Sequence, residues 1–196
     1  MGHIDKFNQL ATHYDTPTNI KMAKLATEAI RPFLDKNDSK TAADIGCGTG
    51  LIGLELLDDV ESMLFVDASE KMLQQVEMKL SDKAPNNTSV LLIDIEKDIQ
   101  LPYEVDTIVL SLVLHHIPNH PKLLSNLYDN LNDNGQLLII EMEKQVKNDH
   151  GMDRAELATE LTELGYKKVQ SKIFYNDQKE NHIHDTSRFI LSARKI

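Results

Sequence analysis

Short runs of consecutive apolar residues alternate along this chain with longer segments whose apolar residues recur every three or four positions. The first kind reads as strands buried on both faces, the second as amphipathic helices. Thr16-Pro17 opens the first long helix, with Thr16 as cap and Pro17 at the first helical position. Within it Met22, Leu25, Ala26, Ala29, Ile30 and Phe33 share one face. A strand is predicted over 41–45, then a glycine-rich turn, then a helix over about 50–57. The plan repeats with a strand over 63–66 and a helix carrying Met72, Leu73, Val76 and Leu80. Asn86-Asn87 marks a loop before a strand over 89–93.

Residues 106–112 are almost continuously apolar. Pro118 and Pro121 open a helix with Leu124, Leu127, Tyr128 and Leu131 on one side. Asn134-Gly135 is expected to end it, and 136–142 forms the next strand. Asp153 and Glu156 make a capping-box-like start to a helix with Leu157, Leu161 and Leu164 inward, closed by Gly165. The last β-like runs, 168–175 and 187–194, are joined by a polar stretch over 176–186, which suits a hairpin loop. Repeated strand–helix units predict an α/β sandwich with a mostly parallel sheet and a C-terminal antiparallel hairpin. That hairpin departs from the plain dinucleotide-binding topology.

At 196 residues the chain is one domain in size, and no linker or repeat divides it. Its 41% hydrophobic and 27% charged residues are those of a globular protein. With 21 Lys+Arg against 31 Asp+Glu, the net charge of −10 disfavours phosphate backbones and anionic lipid, so neither nucleic acid nor membrane is expected as a partner. The single cysteine, Cys47, excludes an internal disulfide framework and a multi-cysteine zinc site. No apolar stretch approaches membrane length and the N-terminus lacks a signal-peptide layout, so a cytoplasmic location is expected.

The chemistry concentrates at Asp44-Ile45-Gly46-Cys47-Gly48-Thr49-Gly50, between a strand and the expected helix. Glycines allow positive φ and let a ligand approach the backbone. The N–H groups of a following helix would favour an anionic group there. Gly48-Thr49-Gly50-Leu51-Ile52-Gly53 also fits the GxGxxG fingerprint, with Asp67 about 20 residues on. That fingerprint should begin at the strand end, and here Gly46-Cys47 intervene, so the fit is out of register.

The segment resembles the first motif of class I S-adenosylmethionine-dependent methyltransferases of the small single-domain type. The resemblance implies the Rossmann-like methyltransferase fold, a doubly wound three-layer sandwich with a seven-stranded sheet. It covers roughly residues 8–196, with 1–36 as a helical cover and 37–196 as the cofactor-binding core. By resemblance, the turn with Asp44, Gly46, Cys47, Gly48 and Gly50 wraps the methionine part of S-adenosyl-L-methionine. Asp67, followed by Ala68 and Met72, would hold the ribose hydroxyls, and Asp94 with the Ile95 backbone would meet the adenine. One ionised carboxylate can accept both vicinal hydroxyls, so the ribose assignment is chemically sound. The plainer alternatives are Asp67 capping the turn at Ser69 and Asp94 as a solvated loop residue.

Ala11-Thr12-His13-Tyr14-Asp15 resembles a segment whose tyrosine lies over the cofactor, which makes Tyr14 a candidate lid or an ordinary packing aromatic. His115 and His116 close the fourth strand's loop, where ligands of such sheets gather, and are the catalytic candidates. Methyl transfer needs chiefly proximity and alignment; a base helps only where the acceptor must lose a proton. Otherwise one histidine packs and the other merely lines the pocket. No metal is expected, because adjacent histidines in a loop diverge, and His182 and His184 are expected to face solvent. Glu141 is expected to face the acceptor or solvent, and His150 and Met152 to be able to line the pocket.

Ser111-Leu112-Val113-Leu114 replaces the Asn/Asp-Pro-Pro-aromatic motif of amino-methylating nucleic-acid enzymes, and no Pro-Cys nucleophile exists. A small-molecule acceptor is therefore expected, with S-adenosyl-L-homocysteine as co-product and a monomer or homodimer as the assembly. Two rivals stay open, a catalytically silent S-adenosylmethionine-binding protein and an NAD(P)-dependent oxidoreductase.

Overall fold

The computed structural model describes residues 3–34, 38–83, 87–97, 99–144, 151–176 and 187–196. The chain opens with α1 (His3–Leu10), a 3-10 turn over Ala11–His13 and α2 (Pro17–Ile30). Then come β1 (Thr41–Ile45), β2 (Ser62–Asp67), α3 (Glu70–Lys83), β3 (Thr88–Leu92) and β4 (Val105–Ser111). The second half runs α4 (His120–Asp129), β5 (Leu131–Met142), α5 (Arg154–Glu163), β6 (Lys167–Asn176) and β7 (Ser187–Arg194). All seven strands join one sheet in the order β3-β2-β1-β4-β5-β7-β6. The first five are parallel, and β7 is antiparallel to both β5 and β6.

Alternation along the strands sorts the core into two layers. Ala43, Ile45, Leu64, Val66, Ile108 and Leu110 face α4 and α5, where Leu124, Leu127, Leu157 and Leu161 meet them. Ala42, Met63, Phe65, Val109, Leu138 and Ile140 face the opposite way, against Ala26 and Ile30 of α2 and Leu73 and Val76 of α3. Both strand faces are thus covered, which is why these runs read as continuously apolar. The expected 1–36 cover therefore divides: α2 is a layer of the sandwich, while α1 is fastened over the β2–α3 turn. There Asn8 Oδ1 accepts from Ser69 Oγ at 2.7 Å and from the Lys71 N–H at 3.3 Å.

Three local expectations were met in detail. Thr16 Oγ1 accepts from the Asn19 N–H at the start of α2, and Asp153 Oδ1 accepts from the Ala155 and Glu156 N–H groups at the start of α5. Gly165 closes α5 at φ +101°.

Two were overturned. No α-helix spans 50–57; the chain makes two 3-10 turns, Gly53–Glu55 and Leu57–Asp59. Glycines at 50 and 53 weaken a helix, and Gly53 is needed for close packing. A Cβ there would stand 2.5 Å from the Phe65 ring and 2.8 Å from Asp44 Oδ2. The positive end of a helix dipole is therefore missing beside the glycine turn. The helix before β5 stops at Asp129 rather than at Asn134-Gly135. Asn130 ends it, its carboxamide accepting from the Leu101 N–H and donating to the Ile99 and Asn126 carbonyls. Asn134 instead lies inside β5 at φ +65°.

Candidate functional site

The parallel strands end at one edge of the sheet, and a cleft with a cavity volume of about 220 Å³ lies there. Its first wall is the glycine turn. Gly46 and Cys47 donate their N–H groups to the Val66 carbonyl at 2.8 and 3.0 Å, which locks the turn onto β2. Gly46, Gly48 and Gly50 all have positive φ, at +69°, +54° and +81°. At Gly46 a Cβ would also lie 2.5 Å from Val113 Cγ2, so glycine is required there twice over.

Asp67 ties this turn to the next one. Its Oδ2 accepts from the Gly48 N–H and its Oδ1 from the Ser69 N–H, both at 2.8 Å. Burial pushes its pKa up, against the pull of the N–H groups of Ser69, Gly48 and Ala68. Asp67 is thus the turn cap foreseen as the alternative, and it also lines the cleft. A carboxylate has about four lone-pair sites, so acceptor capacity remains on Asp67 beyond these backbone donors.

Gly46, Gly48, Asp67, Ala68, Met72, Asp94, Ile95, Tyr14, His115 and His116 all border the main cleft. Asp44 and Cys47 do not; they line a smaller chamber beside it. Gly50 borders neither and packs against Leu54 and Val76, so its part is to shape the turn. Asp44 is buried, with Oδ2 accepting from the Gly53 N–H at 3.0 Å. Burial, opposed by that hydrogen bond, raises its pKa to about 7. Burial likewise raises the Cys47 thiol, which suits packing rather than nucleophilic duty. Asp94 is more exposed: Lys97 Nζ at 2.9 Å and the Glu96 N–H hold its carboxyl low.

Tyr14 stands between the two chambers and lines both. A Cβ on Gly48 would be 3.9 Å from its Cε1, so the ring lies across the glycine turn. The following residue fastens the strap: Asp15 Oδ1 accepts from Thr49 Oγ1 at 2.5 Å, and Lys79 Nζ lies 2.7 Å from Asp15 Oδ2. Ile4 and Phe7 of α1 complete this side.

The opposite wall is built on Glu141, which neither faces an acceptor nor reaches solvent. It is fully buried near the end of β5. Its Oε1 accepts from the Leu114 N–H at 2.8 Å and the His115 N–H at 3.4 Å, and its Oε2 lies 2.9 Å from His115 Nδ1. His116 stacks differently, with its ring 4.0 Å from that of His115 and edge-on to Phe7 at 5.4 Å. His120 is elsewhere, joining α4 to α5 through Glu160 at 3.2 Å. Among the described residues no three His, Cys, Asp or Glu side chains gather where they could hold a metal ion. Met152 packs against the core on the α4–α5 side, while His150, His182 and His184 lie outside the described residues.

Sequence reasoning missed Ile4, Phe7, Asn8 and Arg188, and it misjudged Glu141. A lone acid closing the apolar run Leu137–Ile140 was the available signal for Glu141. Nothing local marked the others. The terminal order β5-β7-β6 also separates this sheet from the plain dinucleotide-binding order, which ends 4-5-6. Among the described residues no helix is long and apolar enough to cross a membrane.

A family profile described as a methyltransferase domain matches residues 36–188. An uncharacterized protein of Haemophilus influenzae is 38% identical over 103 residues, a match covering 50% of this chain and 41% of that protein. The chain thus spans less than half the length of that relative. A SAM-dependent methyltransferase from Aquifex aeolicus is similar in structure, with a TM-score of 0.72 at 18% identity over 96% of this chain and 98% of that one. The magnesium protoporphyrin IX methyltransferase ChlM of Synechocystis PCC 6803, solved with bound S-adenosylhomocysteine, gives 0.72 at 16% identity over 91% and 86%. At such identities the two structures speak for the fold.

Proposed function

The chain belongs to the methyltransferase-domain family, and on that premise we propose that it carries a methyl group from S-adenosylmethionine to a small-molecule acceptor. The observation that carries this reading is the position of Asp67, which joins the glycine turn to the β2–α3 turn at the rim of the cleft. The donor set fits an adenosyl ligand. Asp67 has acceptor capacity left for two ribose hydroxyls, Asp94 supplies an acceptor for an exocyclic amine, and Met72 and Ile95 are apolar cover. Gly46 and Gly48 admit a chain close to the backbone, and Tyr14 lies over it.

S-adenosylmethionine supplies an activated methyl group: the acceptor's lone pair forms the new bond to carbon as the carbon–sulfur bond breaks, leaving S-adenosylhomocysteine. The protein's own share is to hold the partners in line and exclude water. With Glu141 accepting from His115 Nδ1, the Nε2 nitrogen is left to take the proton of a hydroxyl or protonated amine acceptor. His116, braced by Phe7, lines the same cleft. The net charge of −10 and the modest cleft volume of about 220 Å³ favour a small acceptor over nucleic acid.

Thermal unfolding with S-adenosylmethionine, S-adenosylhomocysteine and NAD in separate samples tests this. At 100 times the dissociation constant a ligand adds about 2.7 kcal/mol, a rise of about 5–10 °C for a chain of this size. The two adenosyl compounds are expected to raise the midpoint and NAD to leave it unchanged. Asp67→Ala is expected to stay folded and to lose that rise; an unaltered rise removes the ribose assignment.

A further inference from the structure

Residues 3–16 form a strap that brings Ile4, Phe7 and Tyr14 to the cleft. It is tied down at two points. Near its start, Asn8 Oδ1 accepts from Ser69 Oγ and from the Lys71 N–H. Ser69 Oγ in turn accepts from the Met72 N–H at 3.2 Å, so this tie sits on the first turn of α3. At the other end, Asp15 is bound to the glycine turn through Thr49 Oγ1 and to α3 through Lys79.

Lys79 is the joint of this second tie. Its Nζ lies 2.7 Å from Asp15 Oδ2 and donates to the Thr49 carbonyl at 2.6 Å. One ammonium, with three donors to give, thus holds strap, glycine turn and α3 together. Thr49 is buried and follows Gly48, which borders the cleft. Asp15 follows Tyr14, whose carbonyl accepts from the Thr16 N–H at 2.8 Å and from Asn19 Nδ2 at 2.7 Å. The Tyr14 backbone is therefore fixed by α2 on one side and, through Asp15, by Lys79 on the other. Both members of the ion pair are partly exposed, so water and salt compete for it. Neither side chain borders the cleft.

The cleft's volume of about 220 Å³ is below the roughly 300–1,000 Å³ of sites that enclose a small molecule, so a wall has to yield when a ligand enters. The glycine turn is held to β2 by two backbone bonds, and the histidine wall by buried Glu141. The end of the strap is held by a partly exposed ion pair. We propose that Lys79 is a positioning residue of this site. By binding Asp15 to the glycine turn it holds Tyr14 over the ligand, and the breaking of that tie sets how fast the product leaves. This rests on reading the cleft as the S-adenosylmethionine site. Lys79 itself touches no ligand and acts through Asp15 and Tyr14.

Hydrogen exchange and the dissociation of S-adenosylhomocysteine are measured on native protein, Lys79→Met and Lys79→Arg. In ligand-free Lys79→Met the amides of residues 11–16 are expected to exchange about 10-fold faster, with those of the central strands unchanged. By surface plasmon resonance, S-adenosylhomocysteine is expected to leave Lys79→Met about 3- to 10-fold faster than native protein. High salt should speed its release from native protein and hardly alter that from Lys79→Met. Lys79→Arg, which keeps the charge, is expected to restore slow release. In a Tyr14→Ala background Lys79→Met should add nothing, because the tie acts through that residue. Unchanged exchange at 11–16 overturns the proposal, and so does an unchanged dissociation rate. An equal acceleration in the Tyr14→Ala background also overturns it, because Lys79 is then a general support of the glycine turn. Native protein that binds no S-adenosylhomocysteine overturns the reading of the cleft itself, and exchange at 11–16 then decides the tie alone.

Discussion

The two walls of the cleft are made in different ways. The glycine wall is mainly backbone: Gly46, Cys47 and Gly48 spend their N–H groups on Val66 and Asp67, and the missing side chains make room. The histidine wall is side chain: buried Glu141 gathers the β4–α4 loop by three bonds and turns His115 toward the cleft. Backbone walls are rigid and indifferent to the acceptor, which suits the part that every turnover shares. Side-chain walls can place a proton acceptor, which suits the part specific to the reaction. The contrast extends to two aspartates. Asp67 binds the turn together and still faces the cleft, whereas Asp44 is sealed against Gly53.

The sharpest way to break this contrast is His115→Ala. For a hydroxyl acceptor found by screening, turnover with methyl-labelled S-adenosylmethionine is expected to fall about 10²- to 10⁴-fold while cofactor affinity is kept. Glu141→Gln should cost less, since it keeps the side chain's shape but alters which His115 nitrogen holds the proton. An undiminished rate in His115→Ala makes that wall packing only.

Asp44 gives the next largest effect, and it is on stability. Its folded pKa of about 7 exceeds the ordinary 3.8, so the folded state holds this proton more tightly than the unfolded chain. The associated stability is complete below about pH 4 and is lost as pH rises through 7. Asp44→Asn cannot ionise and can keep the Gly53 bond. Its unfolding midpoint should match the native protein near pH 4.5 and exceed it at pH 8, by up to about 4 kcal/mol at 1.36 kcal/mol per pKa unit. A constant difference across that range would mean that Asp44 is not titrating.

The smallest effect is expected at Asp94, which already has Lys97 and is partly solvated. Asp94→Ala should weaken S-adenosylhomocysteine by about 10-fold or less, the worth of one hydrogen bond. A loss as large as that of Asp67→Ala would show that the Asp94 end of the cleft contributes as much to binding as the Asp67 end.

Much of the fold was legible because it is set by short-range chemistry. Strand β7 was predicted over its observed bounds, and the Thr16 and Asp153 caps, the Gly165 stop and the terminal hairpin followed from local pattern. The failures came where distant partners decided. The helix expected over 50–57 gave way because Phe65 and Asp44 press against Gly53, and the end of α4 moved because Asn130 serves the 99–101 segment. Glu141 was misjudged because strand-end position says nothing of the loop that folds over it.

By itself, then, the order of residues determined the sheet's strands, their covering helices and the glycine–Asp67 wall, because each depends on periodicity or on a turn a few residues long. Only the tertiary structure decided that Glu141 holds His115, that α1 and Tyr14 roof the cleft, and that Arg188 reaches the smaller chamber. Those side chains come from separate elements, and their meeting depends on strand order and register, which place residues 14, 67, 115, 141 and 188 at one edge of one sheet.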